Sequence, residues 1–202
     1  MSTISPRDAQ WRQELRNSKT AKERTAIPRC VMPSLDAAYR VTNNEEVNQG
    51  LSLDQAVVEA SRCLDCPDPQ CVSGCPVGVN IPGFIKNIER GEHELAAATL
   101  RETSALPAVC GRVCPQEKQC ESKCIYNKMK KAPVAIGYLE RFAADFANSA
   151  RRAEAGNGNA PAPQQAPGGI KVAVVGSGPA GLSFAGDMVR RGYEVHIFEA
   201  LH

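Results

Sequence analysis

Eight of the nine cysteines lie between positions 63 and 124, and this concentration constrains the fold more than any other feature. They form two groups of four, spaced C-x2-C-x4-C-x3-C-P and C-x3-C-P-x4-C-x3-C. The N-terminal segment MSTISPRDAQWRQELRNSKT carries charges of both signs and lacks the apolar core and cleavage site of a secretory signal. We therefore expect a reducing, cytoplasmic location, where dense thiols bind metal rather than form a disulfide framework.

The cysteine spacing leaves two kinds of metal centre open. Four-cysteine zinc sites usually pair two C-x2-C hooks, whereas a run ending in C-x3-C-P is typical of bacterial ferredoxins. This chain has x4 where the ferredoxin signature has x2, so a standard ferredoxin domain is not implied. On spacing alone, iron–sulfur clusters are favoured over zinc. The ninth cysteine, Cys30, has no cysteine neighbour at ligand spacing and is predicted to be a free structural thiol.

The first 150 residues carry helical patterns, and the predicted fold class is mainly α. The predicted helices run from Ser5-Pro6 to about Arg16, from Ser52 to Arg62 with Ser52 and Gln55 as a capping box, from Asn80 to Gly91, from Glu92 to Glu102, and from Pro133 to Ser149. Their predicted buried residues are Leu53, Ala56, Val57 and Ala60, then Leu95, Ala98 and Leu100, then Ile136, Leu139, Phe142, Ala143 and Phe146. This core is small, so we expect metal centres to replace the missing apolar bulk.

Residues between the cysteines have two expected roles. The backbone N–H groups of three glycines are expected to face the cluster sulfurs, namely Gly74, Gly78 and Gly111. Four cations are expected either to offset the negative charge of thiolate-bound clusters or to form a solvated basic face, namely Arg62, Arg112, Lys118 and Lys123.

The pattern changes after a Gly-, Ala- and Pro-rich segment at 151–169, which is predicted to be a linker. Residues 170–202 read as strand, glycine-rich turn, amphipathic helix and strand, a single β-α-β unit. Such a unit alone leaves sheet edges and one face uncovered, so we expect the chain to be part of a longer polypeptide. His196 alternates with apolar strand residues and is predicted to be packed rather than catalytic.

The glycine-rich turn predicts a dinucleotide site, because a G-x-G-x-x-G sequence here follows a strand and opens a helix. The predicted cofactor-binding residues are Gly176, Ser177, Gly178, Pro179, Ala180, Gly181 and Glu199. The acid at the end of the second strand suits a free ribose hydroxyl, which favours FAD or NAD over NADP at this position.

Two function classes are not supported by the composition. The formal charge of +2 and the aromatic fraction of 5% give no electrostatic footprint for nucleic acid. No apolar run is long enough to span a bilayer. We therefore expect neither nucleic acid nor a membrane among the partners.

Five segments, RCLDC, GCPV, CGRVCPQEKQCE, AIGYLERF and VAVVGSGPAGL, match in order and spacing those of a known family. From about residue 30 to its end, the chain closely resembles the start of the small (beta) subunit of NADPH-dependent glutamate synthase, and the related N-terminal part of dihydropyrimidine dehydrogenase. The resemblance implies a helical two-[4Fe-4S] ferredoxin-type domain over residues 1–150, the linker at 151–169, and the truncated start of a Rossmann-like FAD domain at 170–202.

The resemblance also implies crossed ligation of the two clusters. One cluster is expected on Cys63, Cys66, Cys71 and Cys124. The other is expected on Cys75, Cys114, Cys120 and the carboxylate Glu140. Cys110 is then a bystander, although a carboxylate is a less usual cluster ligand and Cys110 is the alternative.

The implied function is electron transfer from NADPH through FAD and the two clusters to a partner. For this family the partner is the large (alpha) subunit, which makes glutamate from glutamine and 2-oxoglutarate. The same module in relatives serves pyrimidine reduction, sulfide dehydrogenase or ferredoxin:NADP oxidoreductase chemistry, and a zinc-stabilised interaction module is the non-enzymatic alternative. Such a function requires no acid–base catalytic residue in this chain.

Overall fold

The computed structural model describes residues 6–156 and 169–201. Its contacts divide the chain into two compact units, with the division between Ser149 and Ala150. The helices are α1 (Gln10–Ser18), α2 (Ala21–Ala26), α3 (Ala37–Arg40), α4 (Leu53–Ser61), α5 (Gln70–Ser73), α6 (Ile81–Glu89), α7 (His93–Arg101), α8 (Pro107–Val113), α9 (Ile125–Lys128), α10 (Ile136–Gly156) and α11 (Pro179–Arg190). The strands are β1 (Lys171–Val175) and β2 (Glu194–Phe198), and single 3-10 turns cover Gln116–Lys118 and Glu121–Lys123.

Two predicted helix starts are confirmed by their caps. The Ser52 hydroxyl accepts a hydrogen bond from the Gln55 N–H, and the Gln55 side chain accepts one from the Ser52 N–H. The Asn80 side chain accepts from the Gly83 N–H at the start of α6. These caps lie immediately before α4 and α6, the two helices that flank the first cysteine group.

The predicted start of the first helix is wrong. Helix α1 begins at Gln10, and Ser5, the expected cap, lies outside the described residues. A turn precedes the helix, in which the Ala9 N–H donates to the Pro6 carbonyl over 3.1 Å. That turn uses the residues that the sequence assigned to the first helical turn.

The core of the first unit lies where α4, α6, α7 and α10 pack together, with Phe84, Ile88, Leu100 and Leu139 fully buried. Helix α6 packs on α4 and α7. Small residues face these contacts, including Ala56, Ala60, Ala96, Ala97, Ala143 and Ala147. They allow the helices to approach closely, so the apolar side chains fill a narrow space.

Several residues that the sequence predicts to be buried are exposed or only partly buried. Leu53 is 50% exposed because it opens α4 beside the cap, and Phe146 is 37% exposed on the rim of α10. In α7 the buried stripe contains Ala96 and Ala97, while Leu95 and Ala98 are only partly buried. Because α7 buries its small residues against α6, its larger Leu95 lies at the edge of the contact.

The predicted linker is wrong at its start, because α10 continues through Arg151 and Arg152 to Gly156. The segment RRAEA consists of good helix formers, and their propensity outweighs the Pro- and Gly-rich composition that follows. The rest of the predicted linker, up to residue 168, lies outside the described residues.

The second unit is the predicted β-α-β arrangement. Strands β1 and β2 are parallel, with Lys171 opposite Glu194 and Val174 opposite Ile197. His196 is not packed as predicted: its side chain is 54% exposed and its Nε2 lies 2.8 Å from Oε1 of Glu194. The physical reason is that no other described element of this unit covers that face of the two strands.

No helix in the described ranges combines the length and the apolar character needed to cross a membrane.

Candidate metal centre

Four cysteines from both groups border one cavity of about 550 Å³ in the first unit, and they are Cys63, Cys66, Cys71 and Cys124. Cys63 follows α4 and its N–H donates to the Ala60 carbonyl over 3.0 Å, so the helix end fixes this residue. Cys71 lies in α5, and Cys124 directly precedes α9. The first set therefore joins three cysteines of the first group to the last cysteine of the second.

The walls of this cavity are largely apolar. Side chains from α6 and from the turn before α10 line it, including Ile81, Pro82, Ile85, Val134 and Ile136. Burial raises the pKa of Cys63 to about 11, and burial followed by the charges of Cys63, Cys124 and Cys66 raises the pKa of Cys71. The raised pKa values of Cys63, Cys66 and Cys71 oppose ionisation of these thiols alone, and metal binding would release their protons.

The predicted second set contains Cys75, Cys114, Cys120 and Glu140. Burial raises the pKa of Cys114 to about 11, with added effects of negative charge on Cys110, Glu140 and Cys75. Burial also raises the pKa of Cys120 to about 12, with added effects of Glu121, Cys75 and Glu140. Cys75 and Glu140 thus both act on Cys114 and Cys120, which supports a common location for these four residues, while the ligand set itself stays a prediction.

Glu140 lies in the second turn of α10, partly buried. Burial raises the pKa of Glu140 to about 7. Within the described part of the chain, its carboxylate has neither an ion-pair partner nor a hydrogen-bond donor. A carboxylate that leaves water without a cation or a donor carries an uncompensated cost, and a metal ligand role would remove that cost.

Cys110 also lies beside this second set. Its side chain forms a hydrogen bond with the thiol of Cys114, and its Sγ lies 3.9 Å from the Ser104 hydroxyl, which donates to it. Cys110 sits on α8, one turn before Cys114. Proximity alone therefore does not separate Cys110 from Glu140 as the eighth ligand.

The lone Cys30 lies apart from both sets. Its N–H donates to Oε2 of Glu59 over 2.7 Å, and its thiol donates to the Gln55 carbonyl over 3.5 Å. Burial raises the pKa of the Cys30 thiol, which keeps it protonated at neutral pH. These contacts agree with the predicted structural role.

The donor sets suit a group of several metal atoms. All nine cysteines are free thiols. Across residues 6–156 and 169–201, no three His, Cys, Asp or Glu side chains converge closely enough to bind one metal ion. The four thiols of the first set instead surround a cavity, and thiolates are the donors that iron–sulfur clusters use.

Asp65 is a residue of this region that sequence reasoning missed. It lies between Cys63 and Cys66 with a φ of 51°, and its side chain is fully buried. Arg12 and Arg16 of α1 both bind its carboxylate, Arg16 over 2.6 Å. No local signal marks this contact, because the partners lie 49 and 53 residues away in the sequence.

A second buried network holds the carbonyl of Cys63. Lys86 of α6 donates from Nζ to this carbonyl over 2.6 Å and pairs with Glu89 over 2.5 Å. Glu89 in turn binds Arg24 of α2 over 2.7 Å. Glu89 thus pairs with two cations, and the carbonyls of Cys63 and Ser61 accept further hydrogen bonds from them, which offsets part of the cost of burying these charges.

Two of the four cations expected to act on the clusters are occupied elsewhere. Arg62 is buried, pairs with Glu59 over 2.5 Å and donates to the carbonyl of Ala132 over 2.6 Å. Arg112 is bound by Asp145 and Glu46 at the surface. The solvated basic face is therefore wrong for Arg62, whose expected effect on cluster charge stays a prediction, and Arg112 belongs to a surface ion-pair network.

The expected role of the glycines is also corrected. The N–H of Gly74 donates to the Gln70 carbonyl over 3.1 Å, and that of Gly78 donates to the Cys75 carbonyl over 3.0 Å. Gly111 instead provides space, because a Cβ there would lie 2.6 Å from the backbone nitrogen of Arg141. Helix α8 thus contacts the α10 backbone directly, close to Glu140.

The glycine-rich turn of the second unit has the geometry of a phosphate-binding turn. Gly176 has a φ of 96°, which favours glycine, and a Cβ on Gly181 would lie 2.1 Å from the Gly176 carbonyl oxygen. A Cβ on Gly178 would meet no atom within 4 Å, so this side of the turn is open. Helix α11 begins at Pro179 without a side-chain cap, which leaves its first N–H groups available to an anion.

Glu199 lies against this turn, as the motif predicts. Its Oε2 accepts hydrogen bonds from the N–H and the hydroxyl of Ser177, each over 2.8 Å. The N–H groups of Leu201 and Ser177, then the Ser177 hydroxyl and the Ala200 N–H, hold the pKa of Glu199 at about 2. The acid is therefore ionised and positioned beside the turn.

Two family matches cover the two units. Residues 40–152, more than half of the chain, match the family described as dihydropyrimidine dehydrogenase domain II, 4Fe-4S cluster. Residues 174–202 match the NAD(P)-binding Rossmann-like domain.

Curated relatives are similar over most of this chain. The small chain of NADPH glutamate synthase from Azospirillum brasilense is 34% identical over 163 residues, which are 81% of this chain and 33% of the relative. The NAD-dependent dihydropyrimidine dehydrogenase subunit PreT of Escherichia coli K12 is 40% identical over 144 residues, 71% of this chain and 33% of the relative. The putative oxidoreductase UacF of the same strain is 37% identical over 82% of this chain and 25% of its own length. The chain thus spans a third or less of each of these relatives.

Proposed function

The chain belongs to the family of dihydropyrimidine dehydrogenase domain II with its 4Fe-4S cluster, and we propose that it is the electron-transfer part of an NAD(P)H-dependent flavin and iron–sulfur oxidoreductase. The observation that carries this proposal is the crossing of the cysteine groups. Cys124 of the second group lines the same cavity as Cys63, Cys66 and Cys71 of the first group. Two shared centres, rather than one centre per group, account for that placement.

Two [4Fe-4S] clusters are proposed, each held by four residues of this chain. The first ligand set is Cys63, Cys66, Cys71 and Cys124. The second is Cys75, Cys114, Cys120 and Glu140, supported by the partly buried carboxylate, which has no ion-pair partner among the described residues. The crossing ties α5 to the chain before α9, so the fold of the first unit is expected to depend on its metal.

The residues around the proposed clusters control access of water and the electrostatic environment. The apolar side chains of Ile81, Ile85 and Ile136 limit solvent at the first set. Polar side chains also line this cavity, including Gln70, Ser122 and Lys123, so we propose that hydrogen bonding, burial and ligand type together set the reduction potential. When bound, such clusters supply one-electron transfer, and this chain contributes positions rather than acid–base chemistry.

We propose that the glycine-rich turn binds the pyrophosphate of FAD, with Glu199 on a ribose hydroxyl. The open side of Gly178 and the uncapped N-terminus of α11 support a phosphate there. The ionised Glu199 supports the ribose contact, since it can accept a hydrogen bond from the ribose hydroxyl in place of the one that the Ser177 hydroxyl donates. In the whole protein NADPH is proposed as the source of electrons for the flavin.

The proposed partner is a large subunit of glutamate synthase, which would receive the electrons and make glutamate from glutamine and 2-oxoglutarate. A second candidate is pyrimidine reduction, because PreT is 40% identical over the region that it shares with this chain. Sulfide dehydrogenase or ferredoxin:NADP oxidoreductase types use the same kind of module. We also propose a cytoplasmic location, whose reducing conditions keep the nine cysteines as thiols.

Metal analysis of the chain tests the proposal. After anaerobic purification we expect about eight iron and eight sulfide per chain, and two interacting electron paramagnetic resonance signals after dithionite reduction. Four iron atoms per chain would contradict the second cluster but not the first. Stoichiometric zinc without sulfide would contradict the electron-transfer function and support the zinc-stabilised interaction module.

A further inference from the structure

A basic surface lies beside the first cysteine set. We define it by five exposed side chains, Lys118, Lys123, Lys128, Lys130 and Lys131. Lys123 and Lys128 line the same cavity as the four thiols. Lys128 ends α9, the helix that begins immediately after Cys124. The basic surface is therefore continuous with the edge of the proposed first cluster site.

Local acids do not neutralise this basic surface. Among the described residues, Lys118, Lys123, Lys128 and Lys130 take part in no ion pair, while Lys131 donates to the Thr25 carbonyl over 2.6 Å. Glu121, in the same segment, is buried and already paired with Arg29 over 2.8 Å. Two acids remain nearby, Asp68 on the cavity wall and the exposed Glu117. The five lysines outnumber these two acids, so the basic surface keeps a net positive charge.

The positive charge is local rather than general. The whole chain has a formal charge of only +2, yet residues 118–131 contain five lysines. Met129 lies among them with 39% of its surface exposed. Methionine is enriched at protein interfaces, so an exposed methionine among these lysines is compatible with protein docking.

We propose that the basic surface docks an acidic electron-acceptor protein, which takes one electron at a time from the first metal centre. The proposal rests on the proposed function and adds the chemistry of the partner. Positive charge next to the electron exit steers an acidic partner into a productive orientation and raises its association rate. Each transfer oxidises the reduced centre by one electron and reduces the acceptor by one.

Charge reversal at two lysines tests the docking. Lys118→Glu with Lys128→Glu changes two exposed side chains that hold no ion pair among the described residues. Arg40→Glu with Lys22→Glu reverses two exposed cations outside the basic surface and is the charge-matched control. The iron-loaded chain is reduced with dithionite, freed of excess reductant, and mixed with oxidised cytochrome b5, an acidic haem protein. Basic cytochrome c and uncharged benzoquinone serve as parallel acceptors. Calorimetry with oxidised cytochrome b5 measures binding without turnover.

At low ionic strength we expect the double variant to reduce cytochrome b5 about tenfold more slowly, and to bind it correspondingly more weakly, while cytochrome c reduction accelerates. In high salt, the double variant and the parent chain should reduce each cytochrome at similar rates. Equal cytochrome b5 rates and affinities for the double variant and the parent chain would overturn the docking proposal. If benzoquinone is reduced normally in that case, the proposed function stands, whereas failure with every acceptor would contradict the function itself.

Discussion

Arg16 donates from Nη1 to Oδ2 of Asp65 over 2.6 Å, and thereby fastens α1 to the loop between Cys63 and Cys66. The carboxylate is completely buried, and Arg12 binds its other oxygen. The φ of 51° at Asp65 lies in the left-handed region, which Asp tolerates better than most residues. The first helix of the chain is therefore part of the framework of the first cysteine set, although it contributes no ligand.

Loss of the Asp65 charge is expected to destabilise the first unit strongly. Asp65→Asn keeps the shape and the left-handed backbone but leaves Arg12 buried without its counter-ion. Breaking a buried pair in this way costs about 3 kcal/mol in the free energy of unfolding. Urea denaturation of the anaerobic, iron-loaded chain measures this cost.

The matched control for Asp65 is an ion pair at the surface. Glu46→Gln removes a carboxylate that is 50% exposed and pairs with Arg112 over 2.8 Å and with Arg141 over 3.1 Å, and both arginines keep their pairing with Asp145. Exposed pairs contribute below about 1 kcal/mol, so this variant should unfold close to the parent. Similar losses for the two variants would show that Asp65 does not hold α1 to the metal loop.

Gly111→Ala is expected to disturb the second ligand set alone. The added Cβ would lie 2.6 Å from the backbone nitrogen of Arg141 and 2.8 Å from its Cα. These are backbone atoms that cannot rotate away, so α8 has to move from α10 and Cys114 from Glu140. We expect about half of the iron to be lost, with one paramagnetic signal retained.

The control for Gly111→Ala is the same substitution in open space. A Cβ at Gly186 of α11 would meet nothing within 4 Å. Gly186→Ala should therefore keep all the iron and stabilise its helix by about 0.5 to 1 kcal/mol. Full iron content in Gly111→Ala would show that α8 accommodates the methyl group without moving Cys114.

Local signals predicted the parts of this fold that depend on neighbouring residues. Ser52 and Asn80 cap their helices, and the turn from Gly176 to Gly181 follows a strand and opens a helix, as their sequences indicate. Each of these features is decided by hydrogen bonds or backbone conformation within a few residues. A sequence shows such interactions directly.

Contacts between distant residues were not predictable in the same way. Spacing alone suggests one metal centre per cysteine group, and the crossed sets came only from a family resemblance. Asp65 reads as an exposed loop residue, yet its arginine partners lie on α1. Arg62 could be a solvated surface cation by sequence alone, yet it is buried and donates to the carbonyls of Ile27 and Ala132. These contacts form only when distant parts of the chain pack together, so the residues next to them in the sequence do not predict them.

The low pKa of Glu199 gives a prediction for acid conditions. The carboxylate has a pKa of about 2 in the folded chain against an ordinary value near 4.5. Its contribution to the stability of the second unit is therefore present above about pH 4.5 and is lost as the pH falls through 2. Carbon-13 NMR of the Glu199 carboxyl group follows the titration.

Ser177→Ala is the variant that checks the cause of this shift. It removes the hydroxyl that donates to Oε2 of Glu199 over 2.8 Å but keeps the backbone donors of Ser177 and Leu201. The pKa of Glu199 should rise toward its ordinary value without reaching it. A parent pKa near 4.5 would mean that Glu199 does not hold these hydrogen bonds in solution.

The choice between Glu140 and Cys110 as eighth ligand yields the last prediction. Glu140→Ala should lower the iron content or change the spectrum of one cluster, because it removes a buried carboxylate from beside Cys114 and Cys120. Cys110→Ser should leave both clusters intact, since the hydroxyl can replace the thiol in its contact with Ser104. Iron analysis and paramagnetic resonance of the two variants compare them directly.

A third variant separates loss of a ligand from loss of packing. Glu140→Gln keeps the size of the side chain and an oxygen donor but removes the charge, so iron content between that of the parent and Glu140→Ala supports direct ligation. Because a Gln ligand is neutral, the second cluster site would carry one negative charge less, and its reduction potential should also rise. The reverse pattern, with iron lost from Cys110→Ser and retained in both Glu140 variants, would assign the eighth ligand to Cys110.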